Sequence, residues 1–202
     1  MSRDEPPAER LRERDERHPL VVPVLEQQQP ARIQVLAREY ERAQGLFGPQ
    51  WPIDEAMLAY LMHRGAPAAE IADRYERMGA QPGAPPFCPA LVRALRSPER
   101  ARAILRELLD SLSKTAPSAT YEVALLAAYL GDHELAVDAL RVFKETRSPA
   151  FQNVWYPLLA DVRKDPRFKD IIRGTGLVDF WRKTGQWSDF CRPLGADDFE
   201  CF

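Results

Sequence analysis

The stretch ATYEVALLAAYLGDHELAVDALRVF, residues 119–143, reads as two helices broken at Gly131. Apolar residues recur at helical spacing on both sides of the glycine, and no proline interrupts either run. Ala124 in the first helix, and Ala136 and Leu140 in the second, set the packing. Small side chains let two helix axes approach closely, and a glycine between them lets the backbone reverse.

Outward from this pair the signal stays helical. Upstream, Ser97 and Pro98 open a helix carrying Ile104, Leu105, Leu108, Leu109 and Leu112. Before it lies GAQPGAPPFCPA (79–90), rich in proline and glycine, which is either a long loop or a boundary between two helical subdomains. Two further helices precede that break. Asp54 is placed to cap one with Leu58, Leu61 and Met62, stopping at Gly65. The other starts near Pro67, carries Ile71, Tyr75 and Met78, and stops at Gly79. PARIQVLAREYERA (30–43) aligns Ile33, Leu36 and Tyr40 on one face, whereas residues 1–29 are charge-dense and read as a flexible segment. Downstream, VWYPLLADV (154–162) is a short helix. Asp165 with Pro166 caps a helix bearing Phe168, Ile171 and Ile172 that stops at Gly174, and Leu177 and Trp181 stack in a last turn or two. No segment of useful length alternates as a half-buried strand would, so the expected class is all-α. The expected organisation is a flexible 1–29, helical hairpins over 30–79, a loop over 80–90 and further hairpins over 91–202.

Short paired helices usually stack into a solenoid. The 119–143 pair resembles one tetratricopeptide (TPR) unit, through Ala124, Gly131, Ala136 and Leu140. The pairs over 54–78 and 87–113 have the shape without those residues. From LLADVRKDPRFKD through GLVDFW and DFC to DDFEC (158–201), the chain resembles the segment closing TPR arrays in bacterial cyclase-linked and winged-helix-linked proteins. That resemblance covers about residues 120–201. It implies a C-terminal end to the array and an interaction role without chemistry, and the expected fold is an all-α, TPR-like solenoid of about four helix pairs with an aromatic C-terminal cap. A cyclase or DNA-binding half has no room in this chain, so a free-standing array or a detached C-terminal part is expected.

The 202 residues carry a net charge of −2, which gives no global attraction to nucleic acid or an anionic membrane. The charged first residues are unlike a secretory signal, and PLVVPVL (19–25) is too short to span a bilayer. A cytoplasmic protein with reduced thiols is expected, the cysteine count of three being odd.

Four groups of residues are candidates for chemistry or binding. Cys191 and Cys201 with Asp197 and Asp198 lack the tight spacing of a zinc site. A disulfide between them is geometrically possible but disfavoured in a reducing compartment, which leaves two buried thiols as the preferred reading. Trp181, Trp187, Phe190, Phe199 and Phe202 then form an aromatic cap over the last helices. Cys88 in FCPA is a weak haem or catalytic candidate, with no histidine nearby in sequence. His63 suits a helix C-terminus and His133 lies in the turn after Gly131.

The best place for a partner surface is basic and aromatic: Trp155, Tyr156, Arg163, Lys164, Arg167, Lys169 and Arg173. The plainer and preferred alternative is a solvated face paired with the acidic tail after Asp189. No phosphate-binding, dinucleotide, zincin or nucleophile-elbow motif occurs. The expectation is a non-enzymatic scaffold that binds a protein or peptide segment, with no cofactor and no membrane, nucleic acid being unlikely as a partner. The alternatives are a regulatory part of a cyclase or transcription-regulator system, and a helical domain with a ligand pocket near residues 79–90.

Overall fold

The computed structural model describes residues 51–202; the readings of residues 1–29 and of the helix over 30–43 lie outside them. Nine α-helices are described: α1 Trp51–His63, α2 Ala68–Gly79, α3 Cys88–Arg96, α4 Ala101–Thr115, α5 Thr120–Tyr129, α6 His133–Glu145, α7 Ala160–Arg163, α8 Pro166–Arg173 and α9 Leu177–Thr184. Short 3-10 turns at Pro98–Arg100, Pro117–Ala119, Pro149–Trp155 and Pro157–Leu159 join several of them, each opening on a proline. That residue fixes φ and needs no backbone partner at a helix start.

The helical class holds for most of the described residues. Its exception is an antiparallel hairpin of β1 Cys191–Leu194 and β2 Asp198–Cys201, with Cys191 opposite Cys201 and Leu194 opposite Asp198. In β2, Phe199 and Cys201 are buried while Asp198 and Glu200 are half-exposed, an alternation of period two. Four residues are too few for that alternation to stand out in a sequence.

Helix α5 is buried along almost its whole length. Every residue from Thr120 to Ala128 is buried except Glu122, which is partly so. Thr120 Oγ1, itself inaccessible, donates to the carbonyls of Pro117 (2.7 Å) and Ala139 (3.2 Å) and so costs little. Helix α6 packs against α5 through Leu135, Ala136, Ala139 and Leu140, all inaccessible. The reversal between them runs through Gly131 at φ +79, a conformation that costs an L-residue about 1 kcal/mol or more. Asp132 then caps α6, accepting from Leu135 N at 3.1 Å.

The proline-rich loop closes a hairpin and does not divide the chain into separate subdomains. Helices α2 and α3 pack closely across it, and a Cβ added at Gly79 would lie 3.2 Å from the Cβ of Cys88. Helix α1 spans Trp51–His63, so Asp54 lies within it. That helix rests on α5 and on the turn Pro157–Leu159, far along the chain. Tyr129 Oη donates to the Ala66 carbonyl at 2.6 Å, tying the α1–α2 turn to the end of α5. Tyr75 of α2 donates to Glu122 of α5 at 2.8 Å. No helix among the described residues is long and apolar enough to cross a membrane.

Candidate functional site

The basic and aromatic candidates all fall between Trp155 and Arg173, and the fold separates them into two sets. Trp155 ends the 3-10 turn Pro149–Trp155 and Tyr156 follows it, and each is buried. Trp155 stacks on Phe190 at 5.5 Å and meets Phe168 edge-on at 6.2 Å. Tyr156 meets Tyr121 of α5 edge-on at 6.5 Å.

Arg163 belongs to the same inner set, being 3% exposed. Its guanidinium donates to three main-chain carbonyls: Val154 (3.1 Å), Tyr156 (2.9 Å) and Phe202 (2.9 Å). It lies 5.1 Å from the centre of the Phe190 ring and 6.0 Å from that of Trp155. Burial pushes this guanidinium down to about 10, so it remains charged at neutral pH. Three carbonyl dipoles and two aromatic faces compensate the buried charge. These three residues are thus inside the molecule and do not form an exposed partner surface as they stand. The sequence gives no direct sign of this, because a buried arginine looks like any other in a charged run.

Lys164, Arg167, Lys169 and Arg173 form the outer set, and each faces a carboxylate. Lys164 donates to Asp161 at 2.6 Å. Arg167 grips Asp165 with two bonds (3.0 and 2.7 Å), while Asp165 also caps α8 by accepting from Arg167 N at 2.9 Å. Those bonds hold the Asp165 carboxyl below its usual range. Lys169 (2.8 Å) and Arg173 (3.1 Å) converge on Asp198 of β2, whose carboxyl is lowered chiefly by the Lys169 hydrogen bond. The pairing of the basic run with the acidic tail is therefore present in the fold, through Asp198.

A second charged face was not legible in the sequence. Arg102 and Arg106 of α4 reach Glu134 (2.6 Å) and Asp138 (2.8 Å) of α6, with Arg102 also 3.3 Å from Asp132. Arg167 of α8 comes within 3.9 Å of Glu134 and 3.7 Å of Asp138. The α4–α6–α8 side is thus a mixed lattice of arginines and carboxylates, and exposed pairs of this kind exchange partners readily because each is weak.

No family model, curated protein or solved structure matches this chain.

The cysteines complete the site. Cys191 and Cys201 are bonded to each other, which corrects the expectation of two reduced thiols. Their register in the hairpin is the physical reason, since the strand pairing sets the two Cβ atoms face to face. The expected aromatic cap is present in altered form. Trp181 and Phe199 are buried, Trp187 and Phe190 are half-buried, and Phe202 is exposed.

Cys88, the first residue of α3, is buried, and burial, aided by Glu122, pushes its thiol up to about 11. A thiol so raised is neutral at pH 7 and a poor nucleophile. His63 lies in the last turn of α1 and His133 opens α6. Among the described residues no three of His, Cys, Asp and Glu gather as a metal site would require.

Proposed function

We propose that this protein is a non-enzymatic interaction module whose stacked, TPR-like helical hairpins hold a segment of a protein partner. The observation that supports the reading is the α5–α6 hairpin. Its small residues are wholly buried at a close helix–helix contact, and its reversal depends on a left-handed glycine. Units of that kind stack with their neighbours and present a continuous surface suited to extended or helical segments.

The surface best placed for a partner is the α4–α6–α8 side, where Arg102, Arg106 and Arg167 are available beside Glu134 and Asp138. Lys164, Lys169 and Arg173 extend it toward the C-terminal hairpin. Interspersed charges of both signs favour a protein segment with its own mixed charges over nucleic acid, because each arginine already faces a carboxylate.

The test joins native mass spectrometry of the full chain to cross-linking capture of partners. A bare polypeptide is expected, with a stoichiometric partner cross-linked to α4, α6 or α8. That partner should be lost in the Arg106→Glu/Arg167→Glu variant while its circular dichroism is unchanged. A retained small molecule or metal, or a cross-linked partner indifferent to the charge reversals, would overturn the reading.

A further inference from the structure

The hairpin β1–β2 is small, with four residues in each strand and a proline, Pro193, that donates nothing to the pairing. A two-stranded hairpin of this size is marginal by itself in water. It nevertheless covers important ground. Phe199 of β2, wholly inaccessible, lies 6.1 Å from Trp187, which in turn lies 5.4 Å from Trp181. Beyond β2, the Phe202 carbonyl accepts from the buried Arg163.

The Cys191–Cys201 bond joins the residues at the open end of the hairpin, opposite the turn between Leu194 and Asp198. With the bond intact, β2 is tied at both ends. With it broken, no covalent tie remains at the open end, and β2 is held there by its pairing with β1, by the bonds of Phe202 to Phe190 and Arg163, and by side-chain contacts of Asp198, Phe199 and Glu200.

We propose that this disulfide is a redox latch, and that its two-electron reduction by a dithiol lets β2 leave the aromatic seam and uncover Trp187 and Arg163. Both cysteines are buried, and Cys201 is the more exposed residue, at 6% against 1% for Cys191. A thiolate of the dithiol attacks the Cys201 sulfur, forming a mixed disulfide and expelling Cys191 as a thiolate. The second thiol of the reagent then displaces Cys201, leaving the reagent as its own cyclic disulfide. Both protein thiolates take up protons. The residues uncovered include Arg163, which the sequence marks for partner contact, but the latch stands independently of any partner.

Loop-closure entropy sets the size of the effect. For a sequence separation of 10, the cross-link favours the closed hairpin by about 100-fold. The experiment is hydrogen exchange by mass spectrometry on the full chain, oxidised and then reduced with dithiothreitol. Reduction is expected to speed exchange across residues 188–202 by up to about 100-fold while residues 101–145 do not change. Acrylamide quenching of tryptophan should rise in parallel. The Cys191→Ser/Cys201→Ser variant should match the reduced protein and ignore dithiothreitol.

Three results would each overturn the proposal. In the first, both thiols stay free after treatment with oxidised glutathione. In the second, exchange over residues 188–202 is the same in both states. In the third, reduction unfolds the whole chain, so that no local release exists.

Discussion

The α5–α6 hairpin and the C-terminal part from Pro149 onward both bury apolar side chains, yet they are held by different physics. In the hairpin the contacts are apolar and local, with alanines facing leucines across a single turn. The C-terminal part has short helices, 3-10 turns and a small hairpin, and its order depends on groups that meet from far apart. Arg163 gathers carbonyls from Val154, Tyr156 and Phe202, Asp198 joins β2 to α8, and one disulfide closes the end. Local apolar packing tolerates the loss of any one polar contact. A region built on a few specific polar anchors does not.

Removing a core ring from the hairpin should have the largest effect. Phe143, 2% exposed, stands 5.2 Å from Tyr121 and 6.0 Å from Phe151. Phe143→Ala should cost about 3–5 kcal/mol and lower the urea midpoint of the whole chain as one transition. An unchanged midpoint would show that the hairpin is not the stabilising centre.

Next in size comes Arg163→Met, which fills the volume but leaves three carbonyls without their donor. About 2–4 kcal/mol is expected, read by near-ultraviolet circular dichroism as loss of tryptophan order, with α5–α6 exchange little altered. Equal losses in both regions would erase the distinction drawn between them.

Asp132→Ala should cost about 1 kcal/mol, because it removes the cap at Leu135 N together with a weak ion pair to Arg102. Asn at the same position should recover most of the loss in a thermal melt, whereas equal losses for Ala and Asn would assign the effect to the charge and not to the cap.

The smallest effect is that of pH on Asp198. Its carboxyl lies below the ordinary 3.8 when folded, so its contribution is fully present above about pH 4 and is lost as pH falls through the folded value. Exchange of residues 188–202 should therefore quicken only in strong acid, after correction for the intrinsic rate. Salt at about 1 M should weaken the same contact at neutral pH, since both cations are partly exposed. Release already at pH 6 would point to another group.

Much of the helical layout can be read directly. Gly131 turns the chain and Asp165 caps α8, because a left-handed glycine and a side-chain cap are local requirements that one or two residues satisfy. Asp54 has the right chemistry for a cap but lies inside α1, because backbone pairing can extend a helix past a good capping residue. Gly174 ends α8 in right-handed geometry, without using the freedom a glycine offers.

The candidate site was legible in part. The pairing of a basic run with an acidic tail shows as a change of sign along the chain, and Lys169 and Arg173 meet Asp198 accordingly. The inward turn of Trp155, Tyr156 and Arg163 was not, because residues that look amphipathic in sequence gain their environment from Phe190 and Phe202, far along the chain.

The sequence alone thus determined short helices, their stops and a close hairpin at residues 119–143, since periodicity, glycine and caps act within a few residues. Only the tertiary structure decided which charges are buried, which pair across α4, α6 and α8, and that Cys191 faces Cys201. Those outcomes depend on strand register and on distances between elements remote in the chain, which no local rule carries.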